Sequence, residues 1–224
     1  MARVLVGIVG YYQFIRGYPL GPELMARLRQ RLHEVEIREM NWGPIAIVQD
    51  FQASGAAYDR VVLVGAVDRG APPGAVSVRR WMGGTADPLA VQLRVFEAVT
   101  GVISLDNLLV IGSHFGVWPA ELITVEVQFP ESNLSDFVLA EIEMDRAAGE
   151  MAVIGEQPLS PDNEAIVERI ADLAHLAARD GIHAWPEVAP LSLGDLAPVA
   201  AVCHHRFAQR DGAVSRESDR NTAQ

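Results

Sequence analysis

Three adjacent residues, Cys203, His204 and His205, place a thiolate and two imidazoles in one short stretch, and such side chains bind zinc or nickel. Neighbours along a helix or strand do not all face one ion, so the run reads instead as the end of a C-terminal helix over 193–209. Asp68 follows a long apolar run and precedes the turn GAPPG, the place of a carboxylate that caps a turn. Glu23 falls in the first turn of a helix, where a negative charge suits the dipole. These five residues are the weak candidates for holding a metal. His33 and His175 fall within helical stretches. His114 follows a helix just ahead of Trp118-Pro119, to cap the helix end or pack on the tryptophan. No serine sits in a G-x-S-x-G elbow, and Ser113 and His114 are adjacent rather than opposed. G-x-G-x-x-G and P-loop patterns are absent, so no nucleotide cofactor is expected.

The rest of the composition narrows the classes of function. Cys203 is the only cysteine in 224 residues, which excludes an internal disulfide and any cysteine-rich zinc site within one chain. The formal charge of -11 opposes the phosphate backbone of nucleic acids, whose binding relies on Lys and Arg, and no nucleic acid partner is expected. The opening apolar run, Val4–Val9, is far shorter than the ~20 residues that cross a bilayer, and no charged leader precedes it. Neither membrane insertion nor export is expected, and the cytoplasm is the expected compartment. Hydrophobic residues make up 50% of the chain, enough for a substantial core.

The elements that must position any site follow from the hydrophobic pattern. Val4–Val9 and Arg60–Val67 are nearly continuous apolar runs, as strands buried on both faces require. Leu20, Leu24, Leu28 and Leu32 recur every four residues, a helical stripe from which Arg27, Arg29 and Arg31 point away. Residues 35–40 alternate as a strand and 45–52 suit a short helix; 75–81 form a strand after GAPPG; 89–99 and 105–113 are helical; 122–129 is a strand rich in β-branched residues. Ser160-Pro161-Asp162 opens a helix with the core face Ile166, Ile170, Leu173 and Ala177, and Gly181 stops it. Such alternation predicts a three-layer α/β/α fold with a mostly parallel sheet of about five strands. One domain is expected over 1–181, with an acidic insertion near 131–152, a C-terminal extension over 182–210, and a disordered tail over 211–224.

Four stretches in this order resemble the hydrogenase maturation protease family, endopeptidases that trim the C-terminus of nickel-iron hydrogenase large subunits. They are VLVGIVG leading through a glycine-bearing loop to LGPEL, then VVLVGAVDRGAPPG, then ISLDNLLVIGSHFGVWPAELITVEVQFPE, and last QPLSPDNEAIVERIADL. The likeness runs from Ala2 to Pro130 and resumes over 157–173, while the segment from Ile182 onward has no counterpart. VDRGAPPGAV is the most specific piece, because its Pro and Gly residues return the chain beside a ligand-bearing strand. The resemblance implies the family's α/β fold and a cleft where two carboxylates and an imidazole hold the nickel already inserted in the precursor.

Each of those ligand positions has changed in this chain. Tyr18 or Pro19 stands where the family has its first acidic ligand, and no carboxylate occurs between residues 2 and 22. Gly65 replaces the aspartate of the family's Asp-Ala-Val, as the neighbouring Ala66 and Val67 mark. Gly101, or Val102 with a one-residue shift, replaces the histidine. Glycine and apolar side chains do not ligate nickel. The resemblance and its missing ligands together imply a non-catalytic binding or chaperone factor whose protein partner is a hydrogenase large-subunit precursor, rather than an active protease. An endopeptidase with ligands displaced to Asp68, Glu23 or the C-terminal extension is the alternative, and a structural subunit of a larger complex is the second. Tyr11, Tyr12, Phe14, Tyr18 and Trp42, with Asp68, are expected at the cleft as a partner-binding wall. No cofactor is expected, and nickel enters only with a bound precursor.

Overall fold

A computed structural model of the chain describes residues 2–10, 19–54, 58–128 and 159–199. Strands β1 (Val4–Val9), β3 (Arg60–Val67) and β5 (Glu121–Gln128) are the apolar runs, and they form the centre of the sheet in parallel, β1 on β3 and β3 on β5. Every residue of β1 is buried, as a run without polar alternation demands. β2 (Glu36–Met40) extends this parallel set at the β1 edge. On the far side β4 (Val76–Trp81) pairs antiparallel with β5, and β6 (Ala189–Leu191) pairs parallel with β4. The order is β2-β1-β3-β5-β4-β6. β4 is reversed because the turn after β3 is too short for a crossover, which takes about a dozen residues or more. The turn is held by Gly74 N donating to Gln128 O at 2.7 Å and Gln128 N donating to Ala75 O at 2.9 Å.

Helices cover both faces, as the alternation of elements predicts. α1 (Pro22–Arg31) and α5 (Pro161–Asp180) pack on Val4, Val6, Ile8, Val62, Val64, Ile123, Val125 and Val127. The stripe Leu20, Leu24, Leu28 and Leu32 is buried there. α5 carries the expected signals: Ser160 Oγ accepts from Asn163 N at 3.2 Å, Pro161 opens the first turn, and Gly181 ends it with φ 65°, a left-handed conformation that glycine adopts freely. On the other face α2 (Pro44–Ser54) and α4 (Leu105–His114) pack on Leu5, Val9, Val61, Leu63 and Leu122. α3 (Pro88–Val99) lies against α2 and α4 rather than against the sheet, through Val48, Ala98 and Ile111.

The C-terminal extension departs from the expected helix over 193–209. Its described part contributes the sixth strand, β6, and then a single 3-10 turn at Leu193–Asp195. Gly194 and Pro198 disfavour helix there, and Ser192 and Asp195 close a capping box around one turn only. Residues 200–209, and with them Cys203, His204 and His205, lie outside the described residues. So do the insertion near 131–152 and the tail. His33 also differs from expectation: it sits in the turn after α1, not within a helix.

Candidate functional site

The chain leaves β1 for β2 on one side and crosses back to β3 on the other, so the carboxyl ends of β1 and β3 flank a switch point, the usual place for a ligand in an open α/β sheet. Gly10, Gly65 and the N-terminus of α4 meet this edge. Tyr11, Tyr12, Phe14 and Tyr18 follow β1 directly and lie outside the described residues. Pro19 is buried, and Trp42, after β2, is 42% exposed.

Gly65 is buried in β3 between Val9 of β1 and Glu126 of β5. A Cβ placed on it would come 3.0 Å from Leu105 Cβ, so the first residue of α4 fills the space a side chain would need. Ser104 fixes that helix start, its Oγ accepting from Asn107 N at 3.1 Å. Gly101 has a different task. Its N donates to Ala98 O and Val102 N donates to Glu97 O, each at 3.2 Å, with Gly101 at φ 99°. This double closure ends α3 and requires a left-handed residue, which explains a glycine where the resemblance puts histidine.

The most concentrated charge lies beside Gly65 on residues that sequence reasoning missed. Arg69, whose side chain is 6% exposed, donates through Nη2 to Asp106 Oδ1 at 2.7 Å and to Glu126 Oε1 at 3.1 Å. It also donates through Nη1 to Asp106 Oδ2 at 3.0 Å and through Nε to Glu126 Oε2 at 3.2 Å. Burial works against the charged guanidinium, yet its hydrogen bonds to Asp106 and Glu126 and their negative charges outweigh it and raise the Arg69 pKa. Gln128 Oε1 accepts from Arg69 N at 2.7 Å, and Arg79 Nε stands 3.6 Å from Glu126 Oε2. Two positive and two negative side chains thus balance one another. The legible signal was Glu126, a carboxylate amid the apolar run LITVEVQF.

Asp68 faces solvent and serves the turn: its Oδ1 accepts from Gln128 Nε2 at 3.0 Å and from Gly70 N at 3.2 Å, and these bonds, the Gln128 bond foremost, hold its carboxyl below the usual range. Glu23 lies in the first turn of α1, half-buried, on the far face of the sheet from α4. Asp68 touches the Arg69 cluster only at its rim, through Gln128, and Glu23 does not join it. His114 is the exposed last residue of α4, edge-on to Phe115 with ring centroids 5.1 Å apart rather than packed on Trp118. His175 is half-buried within α5. Among the described residues, no three His, Cys, Asp or Glu side chains converge to hold a metal ion.

A nickel ion does not fit the described residues at this edge. Gly65 and Gly101 offer no ligand atom, and the nearest carboxylate pair, Asp106 and Glu126, already shares the guanidinium of Arg69. The cluster holds both of its carboxylates on Arg69. It presents polar side chains to the main chain that crosses α4: Asp106 Oδ2 accepts from Ala197 N at 2.8 Å, Arg69 Nη1 donates to Asp195 O at 3.3 Å, and Arg94 Nη2 donates to Ala197 O.

No family model matches the chain, and no curated protein matches it. Solved structures do. The chain is similar to the hydrogenase 2 maturation peptidase from Thaumarchaeota archaeon SCGC_AB-539-E09, at 18% identity over 76% of this chain and 94% of that one, with a TM-score of 0.37. It is similar to the endopeptidase HycI from Escherichia coli at 18% identity over 86% and 98% of the two chains, TM-score 0.41. A hydrogenase 3 maturation protease matches at 14% identity over 89% and 98%, TM-score 0.37.

Proposed function

We propose that this protein acts in the maturation of a nickel-iron hydrogenase large subunit, as a factor that binds the precursor without cleaving it. The order of sequence motifs supports the first half of this reading. The second half is carried by one observation: where the motifs place a metal-ligating aspartate, Gly65 lies under Leu105, and the adjoining carboxylates are ion-paired to Arg69. A permanently charged guanidinium neither holds the precursor's nickel nor activates water. Binding asks for less than hydrolysis. The exposed Trp42 and the polar side chains over α4 are suited to holding a segment of protein at this edge.

An endopeptidase with displaced ligands draws no support from Asp68, which is committed to its turn, or from Glu23, which lies on the other face. The deciding experiment mixes the purified protein with the nickel-loaded large-subunit precursor encoded in the same genome, and reads both complex formation and precursor length. A complex with the precursor at full length is expected. Processing to the mature length would overturn the non-catalytic assignment, and absence of any complex would overturn the binding role.

A further inference from the structure

The extension from β6 crosses the N-terminus of α4 as a strap, and the side chains beneath it bond to its backbone rather than to its side chains. Arg69 Nη1 donates to Asp195 O, Ala197 N donates to Asp106 Oδ2, and Arg94 Nη2 donates to Ala197 O. These three bonds fall on alternate residues, 195 and 197, with Leu196 between them in an extended conformation, φ -76° and ψ 146°. The Asp195 carboxylate accepts from Ser192 N at 2.8 Å and Ser192 Oγ at 2.7 Å. Beyond the fully buried Leu191 of β6, the strap's apolar contacts come from Leu193 and Leu196, which are partly buried against the α4 side of the core. Bonding to alternate main-chain groups, with a shallow place for the side chain between, is how proteins hold extended peptides of varied sequence.

The groups below the strap are buried charges: Asp106 is 6% exposed and Arg94 is 8% exposed. Arg94 also donates to Asn107 Oδ1 at 3.2 Å, and Asn107 is fully buried. Removing the strap without replacement strips a hydrogen bond from each buried charge, a loss that a second backbone would restore. Exchange is therefore favoured over simple opening.

We propose that the surface over the N-terminus of α4, formed by Arg69, Asp106 and Arg94, is a binding site for an extended peptide segment of a protein partner, and that residues 195–197 are its internal occupant. The inference rests on the binding role proposed above for the identity of that partner, and adds the form in which it is bound. The strap is tethered, which gives it an effective concentration on the order of millimolar, so a free peptide gains access mainly when the strap is weakened.

The test uses the full chain and a fluorescent synthetic peptide corresponding to residues 192–199, with fluorescence anisotropy as readout. Ala197→Pro removes the N–H that Asp106 accepts, and Leu196→Asp removes the apolar anchor. Each variant is expected to bind the peptide at least about tenfold more tightly than the unsubstituted chain does, which corresponds to about one hydrogen bond. A peptide N-methylated at the residue matching Ala197 is expected to lose about tenfold for the same reason. Independently of any variant, a millimolar excess of the peptide over the unsubstituted chain is expected to speed hydrogen exchange at the Ala197 amide. The inference is overturned if folded variants bind no better than the unsubstituted chain, if N-methylation has no effect, or, where the variants fail to fold, if exchange at Ala197 is unchanged by peptide. Precursor binding without peptide binding sinks this inference and leaves the functional reading standing; peptide binding without precursor binding does the reverse.

Discussion

On the α1/α5 face of the sheet, apolar side chains are inside and charges are outside: α5 puts Val167, Ile170, Ala174 and Ala177 against the strands, while Arg27 and Arg31 of α1 reach Glu164, Glu168 and Asp172 of α5 at the surface. The α3/α4 face adds buried charge to its apolar core. Each polar or charged residue classed as buried among those described belongs to α3, α4 or β5: Arg94, Glu97, Asp106, Asn107, Thr124, Glu126 and Gln128. α3 even turns Leu89, Phe96 and Val99 outward and Arg94 and Glu97 inward. One sheet therefore carries two kinds of packing. The first contributes stability through burial; the second holds desolvated charges, whose net contribution is small but whose geometry is demanding. Residues kept at that expense of stability mark the face on which function is expected.

The comparison is broken most sharply at its charged centre. Arg69→Met keeps the length of the side chain but leaves Asp106 and Glu126 without their shared cation, and is expected to destabilise the protein by about 3–5 kcal/mol in denaturant unfolding. A loss below about 1 kcal/mol would mean that water reaches the cluster freely and that the two faces do not differ as described. On the other face Ile170→Val removes one methylene from a fully buried site and is expected to cost about 1 kcal/mol by the same measurement.

The apolar face was the legible one. Its strands are unbroken apolar runs, its helices carry regular leucine and alanine spacing, and the caps of α5 are local signals within a few residues of the helix they bound. The charged face was not, because its partners are 37 and 57 residues apart in sequence and nothing local ties Arg69 to Asp106 or Glu126. The place of Gly65 in the motif was legible because Ala66 and Val67 mark it, but the packing of Leu105 against it and the reason for Gly101, the closure of α3, needed the backbone to be seen. The strand β6 had no local signal at all. Three residues that include Pro190 become a strand only because Arg79, Arg80 and Trp81 of β4 lie beside them, and the helix expected from residue 193 onward is disfavoured by Gly194 and Pro198.

A smaller effect is expected from the surface ladder of the α1/α5 face. Glu168 accepts from Arg27 and Arg31, and these bonds, the Arg27 bond foremost, hold its carboxyl below the usual range. A carboxyl lowered on folding contributes stability above its unfolded pKa and loses it as pH falls through the folded value. Glu168→Gln is therefore expected to cost about 0.5 kcal/mol at neutral pH, with the difference from the unsubstituted chain closing in acid. A difference that grew in acid would show that the pairing is misassigned.

The smallest effect is expected where the two faces are most easily confused. Phe96 is a large aromatic on a helix, and on a conventional helix its truncation would cost about 3–5 kcal/mol. The inner side of α3 is mixed, however: Val91 and Ala98 are buried together with Arg94 and Glu97, while Phe96 is 43% exposed and Val99 68%. Phe96→Lys exchanges exposed aromatic surface for a residue of good helix propensity, and its effect on the thermal midpoint should correspond to less than about 0.5 kcal/mol. Arg94→Leu, two residues away, supplies the contrast. It leaves Ala197 O without its donor and removes the bond to Asn107, so it should destabilise the protein by several times as much although it makes the helix more apolar. If Phe96→Lys were the more damaging of the two, α3 would be packed in the ordinary sense, and the contrast between the faces of the sheet would fail at this helix.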